Sequence, residues 1–321
     1  MVNSRPSTVR RRLQELWETL ASTERERTDD DLLLAWGIHR EVLNLEQPPD
    51  TSSASDPQIL LSVLPQATLD KHLIDRVQYQ EGPLKGCLVF KDYSPHSRRG
   101  ASHLGRGPRH VQDFVHDWAC NAARVGLPCL GPRELEMAIL DLADKIGWWD
   151  VSIPHPFLLD KPFVLIAPSR ARHTRCDTGP ILEWRDRVEN DVSTFAHLTI
   201  FAVQHSIGND ASMQMGELKA IILGMMNRST QLNLPEDKQE AAFEDRGEWL
   251  KQYPLAFPKE RRFPLLLVTF VAPQHGRIFY ASMDGQRLVI RQSKLYSFER
   301  EATAPLDLFT RWIMYTPLRE D

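Results

Sequence analysis

The chain has 321 residues, 26% of them charged and 42% hydrophobic, with a formal net charge of −4. This is the composition of a folded chain with one large or two modest domains, and it excludes wholesale disorder. So small a net charge names no partner, and no apolar run approaches the roughly 18 residues that span a bilayer. No apolar h-region follows Arg10-Arg11-Arg12, so a cytoplasmic protein with no membrane segment and no secretory signal is expected.

Val9, Leu13, Leu16, Trp17 and Leu20 recur at helical spacing and predict an amphipathic first helix. A second helix is predicted within Asp30–Leu45, on Leu33, Leu34, Ile38, Val42 and Leu43. Residues 47–57, rich in Pro, Ser and Asp, read as a linker or exposed loop. They separate an N-terminal helical segment, 1–46, from a main α/β domain over 58–321.

From Pro57 to Trp149 the pattern is mostly helical. Val111, Phe114, Val115, Trp118, Ala122 and Val125 form one stripe. Leu135, Ile139, Leu142 and Ile146 form another, entered through Gly131-Pro132. Short strands are expected within Lys85–Asp92 and at Phe163–Ala167. Two strong helices are predicted next. Ile181, Trp184, Val188, Val192, Phe195, Leu198 and Ala202 mark the first, and Met215, Leu218, Ile221, Ile222 and Met225 the second. Gly208-Asn209-Asp210 would join them as an antiparallel helical hairpin, and the Met-rich face reads as core.

The last block is the clearest. Phe263–Val271, Arg277–Met283 and Arg287–Gln292 read as three strands joined by Gln274-His275-Gly276 and Asp284-Gly285. Short connections favour antiparallel pairing, and a closing helix is predicted over Pro305–Tyr315. The expected fold class is therefore α/β or α+β, helix-rich with a small mixed sheet and a C-terminal antiparallel β-meander followed by a helix.

Several chemistries lack their signature. No P-loop, dinucleotide-binding fingerprint or GxSxG elbow is present. Cys87, Cys120, Cys129 and Cys176 are widely spaced thiols, and His110, His116 and Cys120 match no zinc spacing. No metal and no cofactor are expected.

The most unusual stretch is His96–His110, HSRRGASHLGRGPRH, which holds Arg98, Arg99, Arg106 and Arg109 and no acid. Gly100, Gly105 and Gly107 would let a ligand approach the backbone, and guanidinium groups suit phosphate oxygens. Arg170, Arg172 and Arg175 make a second basic stretch, and Lys259-Glu-Arg-Arg262 a third. Solvated surface loops are the bland alternative. His197 and His205 would share a face of the predicted helix as core or groove histidines. In the meander only His275 and Arg277 are candidates for function.

Carboxylates recur at helical spacing. Asp186 and Glu189 would share a helix face, as would Glu244, Asp245 and Glu248, and Glu236, Asp237 and Glu240 repeat the pattern. Such sets clamp a guanidinium or act as acid and base. Ordinary surface pairing, such as Arg185 with Glu189, is the alternative.

Arg185-Asp186-Arg187-Val188-Glu189 keeps the second Asp and the Glu of an acidic Asp-Asp-x-x-Glu motif, with Arg185 in place of the first Asp. Glu244-Asp245-Arg246-Gly247-Glu248 keeps acids at all three positions. In these residues, in size and in its soluble α/β pattern, the chain resembles the fungal arginine-containing cyclodipeptide synthases. The resemblance implies an aminoacyl transferase of secondary metabolism that joins the aminoacyl groups of arginyl-tRNA and a second aminoacyl-tRNA. It makes Asp186, Glu189, Glu244, Asp245 and Glu248 the candidate catalytic carboxylates. Arg98, Arg99, Arg106, Arg109, Arg170 and Arg172 would then meet tRNA phosphates. The residues alone equally allow a non-catalytic nucleic-acid or protein-binding module built on the Arg-rich loops.

Overall fold

A computed structural model describes residues 8–48, 59–82, 84–94, 103–125, 127, 142–159, 176–188, 191–244 and 252–319. The chain opens with α1 (Thr8–Ala21), β1 (Arg27–Thr28), α2 (Asp30–Ala35) and β2 (Ile38–Val42). After β3 (Leu61–Ser62) come α3 (Gln66–Leu69), α4 (Arg76–Gln80), α5 (His103–His116) and α6 (Leu142–Ile146). Strands β4 (Trp148–Asp150), β5 (Cys176–Val188), β6 (Asp191–Ile207) and β7 (Met213–Gln214) lead into α7 (Met215–Thr230) and α8 (Glu236–Glu244). The final block is β8 (Leu265–Ala272), β9 (His275–Asp284), β10 (Arg287–Gln292), β11 (Tyr296–Ser297), α9 (Leu306–Ile313) and β12 (Thr316–Pro317).

One mixed sheet of eight strands organises the molecule, in the order β2-β10-β9-β8-β6-β5-β4 with β11 also on β9. The pairs β10–β2 and β8–β6 are parallel and the others antiparallel. Alternation along β8 shows why it lies at the centre. Leu265 and Leu267 enter the core beneath α1 and α7, whereas Leu266, Val268 and Phe270 enter the core beneath α5 and α9. A strand apolar on both faces must have a layer on each side, and the fold is an α/β sandwich. The meander and closing helix stand as the sequence predicts, with Gly285 at φ 61° in the β9–β10 turn.

Other expectations are corrected. The described residues between 181 and 202 form no helix: 181–188 belong to β5 and 191–202 to β6, which pair from Cys176–Gln204 to Val188–Asp191. Strands buried on both faces carry apolar residues at every spacing, helical ones included. The β-branched and aromatic run Thr194–Val203 was the better guide. Gly208-Asn209-Asp210 therefore joins a strand to α7. The second predicted helix ends at Ala35; Gly37 takes φ 67° and the chain continues as β2 alongside β10. No strand forms between Lys85 and Asp92 among the described residues, and Phe163–Ala167 lies outside them. Residues 8–48 supply α1, packed on α7, and the edge strand β2. No described helix is long and apolar enough to cross a membrane.

Helix α7 is buried from Met215 to Ser229. It shows no stripe because it has no solvent face. Its charged residues consequently need partners. Glu217 accepts from Arg277 Nε at 3.0 Å, Thr269 Oγ1 at 2.9 Å and the Gln214 N–H at 2.8 Å. Arg277 Nη1 donates to the carbonyls of Asn209 (2.7 Å) and Ser212 (3.2 Å). Both side chains of this pair are 0% exposed. At the far end, Arg228 Nη1 donates to Glu183 Oε2 at 2.8 Å and to Gln231 Oε1 at 2.7 Å. Burial pushes the Glu183 carboxyl up, but Arg228 and His155 more than offset this and hold it far below the usual carboxylate range.

Two stability predictions follow from these buried groups. Glu217→Gln should cost about 3–5 kcal/mol in urea unfolding, because it leaves the Arg277 charge buried and unpaired. Glu217→Leu combined with Arg277→Met should cost less than the two single changes summed; strict additivity would mean that the pair is not coupled. The second prediction concerns His197, whose Nε2 donates to the Leu60 carbonyl at 2.7 Å. Burial, opposed by that bond and aided by the Arg228 charge, pushes its pKa down from 6.5 to about 4. The unfolded chain therefore takes up a proton first as pH falls. Stability should drop between pH 6.5 and about 4, by at most ~1.4 kcal/mol per pH unit from this group. His197→Asn should flatten that part of the profile, and an unchanged slope would rule the group out.

Candidate functional site

The parallel strands β6 and β8 end at Ile207 and Ala272, and ligands of open α/β sheets gather at such ends. Helix α5 lies over them. A Cβ on Gly107 would stand 2.5 Å from the Pro273 carbonyl oxygen. The glycine thus serves the docking of α5 on the β8–β9 turn, and not the ligand approach that its sequence suggests. The basic stretch is likewise not all loop, because residues from His103 onward are helical.

Docking brings three side chains together. Arg109 Nη2 lies 3.5 Å from Asp177 Oδ2, and His205 Nε2 lies 3.0 Å from the same oxygen. Asp177 is at the start of β5, opposite Val203, with His205 two residues further along β6. The side chains are 38% exposed for Arg109, 24% for His205 and 11% for Asp177. The carboxylate is therefore sheltered while its two partners reach solvent. With Nε2–H on the carboxylate, the His205 Nδ1 carries the lone pair, the arrangement of an oriented general base. Nearby, burial raises the Asp113 pKa against the lowering influence of Arg109. Burial, reinforced by Lys91, lowers that of His110. Arg106 is exposed on the same helix, so a second guanidinium stands at this rim beside Arg109.

Two acceptors beneath the cluster, Gln112 Oε1 and Gln204 Oε1, are buried without a partner among the described residues. Neighbouring Cys176 is fully buried; burial first, then the charges of Glu217 and Asp177, pushes its thiol far up. It is an inert core thiol. Among the described residues no three His, Cys, Asp or Glu side chains gather in a metal-holding group.

Of the three acidic sets, Glu236, Asp237 and Glu240 lie together on α8. Asp186 lies in β5 opposite Ser193, so it shares no helix face with Glu189, which falls outside the described residues. Arg185 pairs with Glu183, at 2.8 Å. Glu244 is exposed at the end of α8, and Asp245 and Glu248 lie outside the described residues. So do Arg98, Arg99, Arg170 and Arg172. In sequence, however, Arg98 and Arg99 precede α5, and Arg170, Arg172 and Arg175 precede β5. The elements that follow these two basic stretches meet at the Arg109–Asp177 contact. His197 and His205 are strand residues, buried and half-buried respectively, and Arg277 belongs to the buried pair with Glu217. Sequence reasoning missed Asp177 and Glu217. The signal for Glu217 was a lone acid within the apolar run Met213–Met226.

Gly107→Ala tests the docking of α5. The added methyl meets backbone, which cannot swing aside, so a loss of ~1–3 kcal/mol in urea unfolding is expected. A neutral change would mean that α5 does not rest on the Pro273 carbonyl. Neither a family model, nor a curated protein, nor a solved structure matches this chain.

Proposed function

We propose that the chain binds a nucleic acid through its phosphate groups at the strand end where α5 meets β5 and β6. The observation that supports this is the Arg109–Asp177–His205 cluster, with Arg106 exposed on the same helix. A chain with net charge −4 attracts polyanions only where cations are gathered locally. Here they gather beside an oriented imidazole. Phosphate oxygens take the guanidinium donors. His205 is the group able to accept or return a proton at an adjacent oxygen or nitrogen.

A narrower form of the proposal is the aminoacyl-tRNA chemistry that the resemblance implies. An activated ester brings its own driving force, and the protein has to orient two aminoacyl groups and accept a proton from the attacking amine. In that form His205, in place of the carboxylates expected from the sequence, receives the amine proton and returns it to the tRNA hydroxyl that leaves as the ester bond breaks and the amide forms. The partners are arginyl-tRNA and a second aminoacyl-tRNA.

Fluorescence anisotropy of labelled bulk tRNA against salt tests the general form. Affinity should fall steeply with salt, and Arg106→Gln and Arg109→Gln should each weaken binding and lower the log–log salt slope by about one. Binding indifferent to salt and to both variants would overturn it. Mass spectrometry of an expressing host tests the narrower form: an arginine-containing cyclic dipeptide should appear and should vanish with His205→Asn.

A further inference from the structure

The opposite end of the sheet holds a separate cavity of about 1130 Å3. It opens where β6 begins, at Phe195 and His197, beside the Asp284-Gly285 turn of β9–β10. The third basic stretch of the sequence lines it, and Arg319 closes it from the other side. Exposed Lys259 and Arg261 have no carboxylate partner among the described residues.

The lining carboxylates are already engaged. Glu260 Oε1 accepts the backbone N–H groups of Arg261 (2.9 Å), Arg262 (2.7 Å) and Phe263 (3.3 Å). This triple bond set holds Phe263 at φ 45°, a left-handed conformation costly for an aromatic residue. Asp284 lies 3.7 Å from Arg262 and also pairs with Arg287. The Lys259–Arg262 turn is thus held by hydrogen bonds, and with Arg319 it brings four cations to a lining that holds two carboxylates, Glu260 and Asp284.

Most of the remaining lining is apolar. Half-buried Phe195, Phe257 and Leu318 contribute apolar surface, backed by the buried Val9, Leu60 and Met283, and Phe195 lies 4.8 Å beneath the Arg319 guanidinium. At the floor His197 is neutral, with Nε2 committed to the Leu60 carbonyl and Nδ1 without a partner among the described residues. A cavity with cations on two walls and an apolar floor suits a ligand with one charged end and an apolar body. A cationic ligand would meet a lining of net positive charge, and a neutral one would leave the cations unused.

We infer that this cavity binds a small organic anion, a phosphate or carboxylate carried on an aromatic or aliphatic body, held by Lys259, Arg261 and Arg319. The site stands apart from the strand-end cluster and does not depend on nucleic-acid binding there. Isothermal titration of the full chain with AMP and, separately, with octanoate distinguishes the two anion sources. Saturable binding of at least one is expected, weakened ~10-fold or more in Arg261→Gln/Arg319→Gln. Both substituted side chains are exposed, so the fold should persist, as circular dichroism will show. Arg106→Gln/Arg109→Gln should leave this binding unchanged, and Arg261→Gln/Arg319→Gln should leave tRNA binding unchanged. Binding of AMP alone assigns a phosphate, of octanoate alone a carboxylate, and of both a general anion site. No binding of either at millimolar concentration would overturn the inference. So would equal binding by wild type and Arg261→Gln/Arg319→Gln, or loss of binding in Arg106→Gln/Arg109→Gln.

Discussion

The buried pair of Glu217 and Arg277 is the constraint on which the rest of the structure depends. A charge at the first turn of a helix without a solvent face is tolerable only if its partner is supplied with little freedom. Arg277 supplies it from β9, Thr269 adds a hydroxyl from β8, and Arg277 in turn ties down the carbonyls of Asn209 and Ser212. One carboxylate thereby fixes the β6–α7 connection against the two central strands. The acid stands near the helix N-terminus and Arg228 near its C-terminus, so both charges also agree with the helix dipole. Arg10 completes the far end by donating to the Ser229 carbonyl at 2.7 Å.

With α7 locked at both ends, the two ends of the sheet acquire different characters. At one, α5 settles on the β8–β9 turn because Gly107 has no side chain, and Arg109 comes within reach of Asp177. At the other, the chain between α8 and β8 must turn sharply into the sheet, and Glu260 gathers its N–H groups to do so. Both ends have a carboxylate shared by arginine and histidine, but the His205 imidazole on Asp177 reaches solvent whereas His155 on Glu183 is buried.

The sequence told most where one physical signal dominated. Asp284-Gly285 between alternating strands, and the amphipathic runs at Val9–Leu20 and Leu306–Ile313, correspond to the observed elements. It misled where burial on both faces erased the period of two, as in β5 and β6. The site was less legible for the same reason. Asp186 looked functional through its distance from Glu189 along an expected helix. Asp177, an acid alone beside a cysteine, gained meaning only once α5 lay across it. Sequence spacing ranks residues that share an element, whereas Arg109, Asp177 and His205 come from three.

The pairing of β2 with β10 has a further consequence. Ile38 faces Leu288 and His39 faces Val289, so an edge of the sheet made early in synthesis waits for residues made some 250 positions later. The register of β3 with β12, Leu61 opposite Pro317, imposes the same wait. Neither strand has a local partner in the sheet, and α1 has no helix to cover until α7 exists. Such high contact order slows folding and leaves the apolar face of α1 and the unpaired edge of β2 uncovered until the last strands are made.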